Sequence, residues 1–328
     1  MSMSLYMITL MSLYFSNFFI LWFFMEISSL MFISMISLMN FKKNSIFYYL
    51  ISSISSILLL FSYLFIHNKF NLEINNLNKN NNMYETIITF SIFMKLGMFP
   101  MHLWTNIMFK NINFMIIFYF STLMKVIPLL LLYNYLELES LLYLLLFVSI
   151  LMAPFLMLAQ SSIKLMFIYS SMFHTSLMIP MIILSNKIWL MYFCMYMVSS
   201  YLLFNYLMKF KITDMMDLKL NIFFNKYMNY KFIFLIMTYC QFPPMMTFFM
   251  KFNLINLLMN TNDLLLSVFI IFMSMFSTFN YLNNFNLIHF KNLIKPIYLI
   301  KNVKTKMNKM DTLMVSLAFT VYFMPMMY

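Results

Sequence analysis

The 328-residue chain contains a single glycine, Gly97, and no arginine. It has two cysteines, Cys194 and Cys240, and nine acidic residues. One glycine excludes Gly-rich phosphate loops, dinucleotide fingerprints and collagen repeats, all of which need several. Two cysteines, each inside an apolar run, cannot frame a disulfide scaffold, a zinc site or an iron–sulfur site. Charged residues make up only 9% of the chain and hydrophobic residues 63%. Soluble domains run at about 25% and about 45–50%. A water-soluble globule is therefore excluded. So is a disordered chain, which needs low hydrophobicity and high charge.

Phe, Met, Asn, Ile, Leu, Tyr and Lys dominate what is present, with 41 Phe, 41 Met and 22 Tyr. Nearly all of these have codons rich in A and T, whereas Arg, Gly, Ala and Pro need G or C. The methionine usage fits a code that reads ATA as Met, as in many animal mitochondria. The composition points to an organellar gene in an AT-biased genome. The first residues run directly into an apolar span with no cleavable signal or transit peptide in view. That is the expectation for a protein made inside the organelle.

A bilayer-spanning helix needs about 20 apolar residues. The apolar stretches predict about eleven spans, at 3–20, 22–40, 45–66, 84–104, 112–133, 139–159, 163–184, 188–208, 231–255, 263–284 and 311–327. Asn-rich 68–82 reads as a loop, and 209–230 as a charged connection. The polar segment 285–310 reads as a surface connection, amphipathic if helical, within a single transmembrane domain covering 1–328. With the N-terminus inside, the inside loops hold lysines 42, 43, 110, 164, 209, 211, 219, 226, 231, 291, 295, 301, 304, 306 and 309. The outside loops hold only Lys69, Lys79 and Lys187. This is a strong positive-inside pattern. It assigns the net charge of +12 to orientation and to contact with anionic phospholipid, and not to nucleic acid.

Four ionisable residues fall well inside apolar spans: Glu26, Lys95, Lys125 and Lys251. Each costs about 2.5–3.5 kcal/mol at a helix centre. Such residues mark ion pathways and proton relays, or structural ion pairs that orient helices. Lys95 precedes Gly97 and Pro100. Proline removes a helix hydrogen bond and clashes with the preceding turn, so a break and a polar pocket are expected there. His102 follows about two turns after Lys95. Lys125 has Pro128 one turn later, and Lys251 follows the Pro243–Pro244 pair. Two breaks, each beside a buried lysine, point to an inverted-repeat transporter. Glu26 is the one acid in a span interior and the obvious partner for a lysine; the sequence leaves open which. Tyr169, Ser170, Ser171 and His174 lie within reach of one another along one helix. They form either a hydrated link between proton sites or interhelical hydrogen bonds. His67 and His289 stand near span ends and read as structural. No paired carboxylates, nucleophile triad or metal cluster is visible. Such a chain can move charge but has no means of its own to make or break covalent bonds.

The run Lys95-Leu-Gly-Met-Phe-Pro-Met-His-Leu-Trp104 resembles the signature of the antiporter-like subunits of respiratory complex I, Lys-hydrophobic-Gly-x-x-Pro-x-His-x-Trp. Four further stretches agree in order. Trp22-Phe-Phe-Met-Glu26 resembles the early span bearing a glutamate, and Met124-Lys-Val-Ile-Pro128 the next lysine span. Lys164 to His174 resembles the Tyr-Ser-Ser-x-x-His segment, and Pro243-Pro244 with Lys251 the second broken helix. Length and span count favour the shortened animal members over longer relatives. The chain departs from the family where two glycines usually precede the proline pair: Cys240 and Gln241 stand there. Thr247 replaces a further glycine, Met250 the proline before the lysine, and Ser176-Leu177 a Gly-Trp pair.

The resemblance implies an all-α, inverted-repeat antiporter-like bundle with two broken helices. It implies a proton-translocating membrane subunit of complex I in the mitochondrial inner membrane, with the N-terminus on the matrix side and the C-terminus on the intermembrane-space side. Glu26 would be the charge partner, Lys95 and Lys125 the central proton carriers, and Lys251 an exit-side or second-half carrier. His102 and His174 would tune or extend the path. The partners would be other membrane subunits, including neighbouring antiporter-like chains. FMN, iron–sulfur clusters and ubiquinone would be held elsewhere in the complex, with no cofactor in this chain. A stand-alone cation/proton antiporter and a structural subunit with buried ion pairs are the competing readings.

Overall fold

The computed structural model describes residues 1–71, 78–135, 140–210, 226–243, 245–261 and 263–292. The regular elements of these residues are α-helices. Two compact units divide them. The first holds α1 (Ser2–Ser12), α2 (Phe18–Leu38), α3 (Lys42–Asn71), α4 (Asn78–Leu96), α5 (Leu103–Phe109), α6 (Phe114–Ser121), α7 (Leu123–Tyr135), α8 (Ser140–Leu158) and α9 (Ile163–Leu184). The second holds α10 (Asn186–Lys209), α11 (Lys226–Tyr239), α12 (Met246–Asn260) and α13 (Leu264–Asn292).

Among the described residues, seven stretches are long and apolar enough to cross a membrane: Phe18–Leu38, Lys42–Phe65, Phe114–Asn134, Leu141–Leu158, Ile163–Leu184, Ile188–Lys209 and Leu264–Asn283. They coincide with seven of the expected spans; the count of about eleven is not reproduced among the described residues. The other four have separate reasons. The expected span 3–20 holds only the 11-residue α1 before the chain turns at residues 13–17. The spans 84–104 and 231–255 are each cut in two by a helix break. The span 311–327 lies outside the described residues, as do 293–310 of the polar connection, 211–225 of the charged connection and 72–77 of the Asn-rich stretch.

The spans carry many hydroxyls, and the helices absorb them locally. Ser52, Ser55 and Ser56 bond the carbonyls of Tyr49, Ser52 and Ser53, each one turn back. This back-bonding satisfies a polar side chain without a partner helix, so a Ser-rich stretch such as 52–56 stays helical in an apolar setting.

In the first unit α2 packs on α1, α3 and α7, and α4 on α3, α7 and α8. An aromatic cluster fills the space between them. Phe120 lies 4.5 Å from Phe109, 5.5 Å from Trp104 and 6.2 Å from Phe32, between ring centroids. In the second unit α10 packs on α11 and α12, and α12 on α13. There Tyr239 is the hub, facing Tyr196, Phe204 and Tyr281 at 6.0, 6.4 and 6.1 Å.

Candidate functional site

The first helix break follows the order of its residues. α4 ends at Leu96, and Gly97 takes φ +65°. Met98 N–H bonds Phe93 O and Gly97 N–H bonds Met94 O. This is a Schellman termination with glycine at the left-handed position. A side chain at Gly97 would run into Thr105 Cγ2 and touch Phe120 at 3.6 Å. Position 97 therefore needs glycine for both backbone and space. Four residues of turn, 99–102, lead into α5. Trp104 Nε1 donates back across the break to Met94 O at 3.1 Å, giving a terminal carbonyl of α4 a second partner.

The break sets Lys95 in the last turn of α4, where a cation is favoured by the helix dipole. Its Nζ reaches Glu26 Oε1 on α2 at 3.0 Å, with side chains 5% and 29% exposed. Glu26 thus meets Lys95, which sequence left undecided. Two oppositely charged groups in an apolar setting avoid much of the cost of a lone charge.

Lys125 is held differently. The span containing it kinks at Thr122, where α6 gives way to α7 and ψ turns to −81°. Pro128, inside α7, has no N–H to return to Met124 O. Lys125 is buried, and its Nζ donates to Ser171 O at 3.1 Å and Ser171 Oγ at 3.2 Å on α9. Its ammonium lies 5.8 Å from the Phe120 ring centroid. No carboxylate forms an ion pair with it among the described residues. The same Phe120 touches the first break, so one ring separates Gly97 from Lys125.

His102 immediately precedes α5, makes no side-chain bond to the helix end, and is buried. Its ring stacks on Phe99 at 5.6 Å and lies 6.1 Å from Tyr169. Asn106, one turn after His102, donates to Tyr169 Oη. Asn106 was not singled out from sequence; its i+4 relation to His102 is the signal that could have found it. His174 is buried on α9, one turn beyond Ser171 and on the same face. The first unit thus brings together Glu26 with Lys95, Lys125 with Ser171, and His102 with Tyr169.

Lys251 belongs to the second unit and is buried in α12, its Nζ 4.9 Å from the Phe248 ring centroid. The break before it repeats the first. α11 ends at Tyr239, Phe242 N–H bonds Met237 O, and Gln241 takes φ +58°. A non-glycine residue in this region costs of order 1–3 kcal/mol. Thr247 Oγ1, on the following half-helix, donates to Thr238 O at 2.8 Å. Thr238 and Met94 hold the same position before their breaks, and each carbonyl is bonded by a side chain from the helix that follows. Pro244 lies outside the described residues, as do the side chains of His67 and His289.

Among the described residues no three or more His, Cys, Asp or Glu side chains gather where they could hold a metal ion. What the fold and the site define is a multi-pass helical membrane protein with buried lysines set beside helix breaks. A family model described as NADH:quinone oxidoreductase/Mrp antiporter, transmembrane, matches residues 16–277, and the chain belongs to that family. It is 28% identical over 317 residues to NADH-ubiquinone oxidoreductase chain 2 of Rhipicephalus sanguineus, covering 96% of this chain and 97% of that one. It is 26% identical over 269 residues to the protein of the same name from Apis mellifera ligustica, covering 81% and 78%. Its fold matches a chain of respiratory complex I from Thermus thermophilus with a TM-score of 0.76 at 16% identity, covering 93% of this chain and 71% of that one.

Proposed function

We propose that the chain is subunit 2 of mitochondrial NADH:ubiquinone oxidoreductase and moves protons across the inner membrane. The observation that carries the reading is the Lys95–Glu26 pair at the end of a broken helix. A lysine there has two stable situations: charged and paired with Glu26, or neutral after its proton leaves. Electrostatic change at Glu26 from a neighbouring membrane subunit shifts the balance between them. Lys125 is the next carrier. Its ammonium rests on Ser171 alone among side-chain oxygens of the described residues, with no carboxylate paired to it there. His102 and His174 extend the path, and Lys251 serves the second unit. Quinone reduction, FMN and iron–sulfur chemistry belong to other subunits. Support for this identity comes from relatives named chain 2 that align along most of the sequence. The mitochondrial setting rests on the methionine-rich, arginine-free composition, and the matrix-side N-terminus on the lysine asymmetry.

The test starts with native membranes in mild detergent, with complexes resolved by size. The chain is expected to migrate with a large, flavin-containing NADH dehydrogenase. Migration as a monomer or dimer while that dehydrogenase stays intact would overturn the reading. A cation/proton antiporter that works alone is the second reading; the family description, which names Mrp antiporters beside NADH:quinone oxidoreductase, supports its antiport chemistry. It requires transport by the reconstituted chain alone.

A further inference from the structure

The second helix break is built on a residue that its backbone disfavours. Gln241 is buried and left-handed at φ +58°, where the first break has Gly97 at φ +65°. Both breaks have the same 6→1 bond, Met98 to Phe93 and Phe242 to Met237. The left-handed position admits glycine freely and other residues at a cost, so something must hold Gln241 there. The side chain supplies it. Gln241 Nε2 donates to Tyr192 Oη on α10, a tyrosine that is itself wholly buried.

We infer that the Gln241–Tyr192 hydrogen bond stands in for the missing glycine, which makes Tyr192 and Gln241 positioning residues for the half-helix that carries Lys251. Three observations bear on it together. Tyr192 lies on α10, which packs against both α11 and α12, the helices on either side of the break. Thr247 ties the start of α12 to Thr238 at the end of α11, so the turn at Gln241 sets the angle between them. Lys251 follows Thr247 by four residues, one turn along the same face. A bond that fixes the turn therefore fixes where the lysine sits. Lysine proton transfer rests on the function proposed above; the pairing of Gln241 with Tyr192 does not.

The experiment is a double-mutant cycle in the full-length chain: Gln241→Gly, Tyr192→Phe and both together. Thermal unfolding of the purified chain in mild detergent is the first readout. Protons moved per NADH oxidised by the assembled complex in sealed vesicles is the second, with Lys251→Met as control. Gln241→Gly relieves the backbone but takes the Gln241 donor from the buried Tyr192 hydroxyl, so the double variant is expected to unfold no lower than Gln241→Gly alone. Tyr192→Phe is expected to lower the unfolding temperature and the proton ratio when Gln241 is present, and to lower neither in the Gln241→Gly background. Failure of Tyr192→Phe to assemble, rescued by Gln241→Gly, counts equally in favour. Equal effects of Tyr192→Phe in both backgrounds, harmful or silent, would overturn the pairing. If Lys251→Met pumps normally, the proton role of Lys251 fails, while the unfolding cycle still decides the pairing.

Discussion

Lys95 Nζ stands 3.0 Å from Glu26 Oε1, joining two helices whose residues are 69 apart in sequence. The lysine sits two residues before the left-handed turn at Gly97. The ion pair and the helix break therefore form one unit, and a change in either is felt by the other.

Removing one partner should cost more than removing both. Lys95→Met leaves the Glu26 carboxylate without its cation, and Glu26→Gln leaves the ammonium without its anion. The double variant leaves neither. Thermal unfolding of the three variants in detergent should give a coupling energy of roughly 0.5–3 kcal/mol. Proton translocation should fall in all three, since none retains the exchanging pair.

Gly97→Ala meets two obstacles, and they can be separated. The φ of +65° costs alanine about 1–2 kcal/mol. The new Cβ also collides with Thr105 Cγ2. Thr105→Ser removes that methyl group. Gly97→Ala/Thr105→Ser should recover part of the unfolding temperature lost in Gly97→Ala, and the backbone part should persist. Full recovery would mean that the backbone cost is negligible.

Lys125→Met should separate stability from function. The substitution conserves volume and removes a buried charge that has no carboxylate partner among the described residues. Ser171 O also accepts from Thr175 Oγ1, and Ser171 Oγ keeps the bond it donates to Ile168 O, so both oxygens retain a partner. The unfolding temperature should hold or rise. Proton translocation by the assembled complex should fall. A sharp loss of stability with pumping intact would mark Lys125 as structural.

Trp104→Phe tests the tie across the first break. Phenylalanine keeps an aromatic ring against Phe120 and Tyr48 but loses the N–H donated to Met94 O. The expected cost is about 0.5–1.5 kcal/mol, read by unfolding in detergent. Met94 O keeps its bond from Gly97 N–H, so the helix end itself should survive.

Much of the fold was legible because membrane physics acts along the sequence. Seven of the expected spans coincide with helices that are long and apolar enough to cross a membrane, since 20 or so apolar residues in a row leave few alternatives. Hydropathy could not see that 84–104 and 231–255 are cut in two, because a break of a few residues barely lowers the mean. The first break was visible from Gly97 and Pro100. The second was visible from its prolines, but its left-handed residue was hidden. Gln241 carries no local signal for φ +58°, and its bond to Tyr192 joins it to another helix.

Sequence alone determined that the protein is helical, embedded in a membrane and burdened with ionisable residues at membrane depth. Those conclusions rest on composition and on the cost of burying charge, which are properties of each residue where it stands. It also pointed to a break or kink between Gly97 and Pro100, because proline removes a helix hydrogen bond and clashes with the preceding turn. Tertiary structure decided that Glu26 holds Lys95, that Lys125 rests on Ser171, and that His102 faces Tyr169. Hydrogen bonds and ion pairs act over about 3 Å, so partners 46 or 69 residues apart are chosen only when the helices pack.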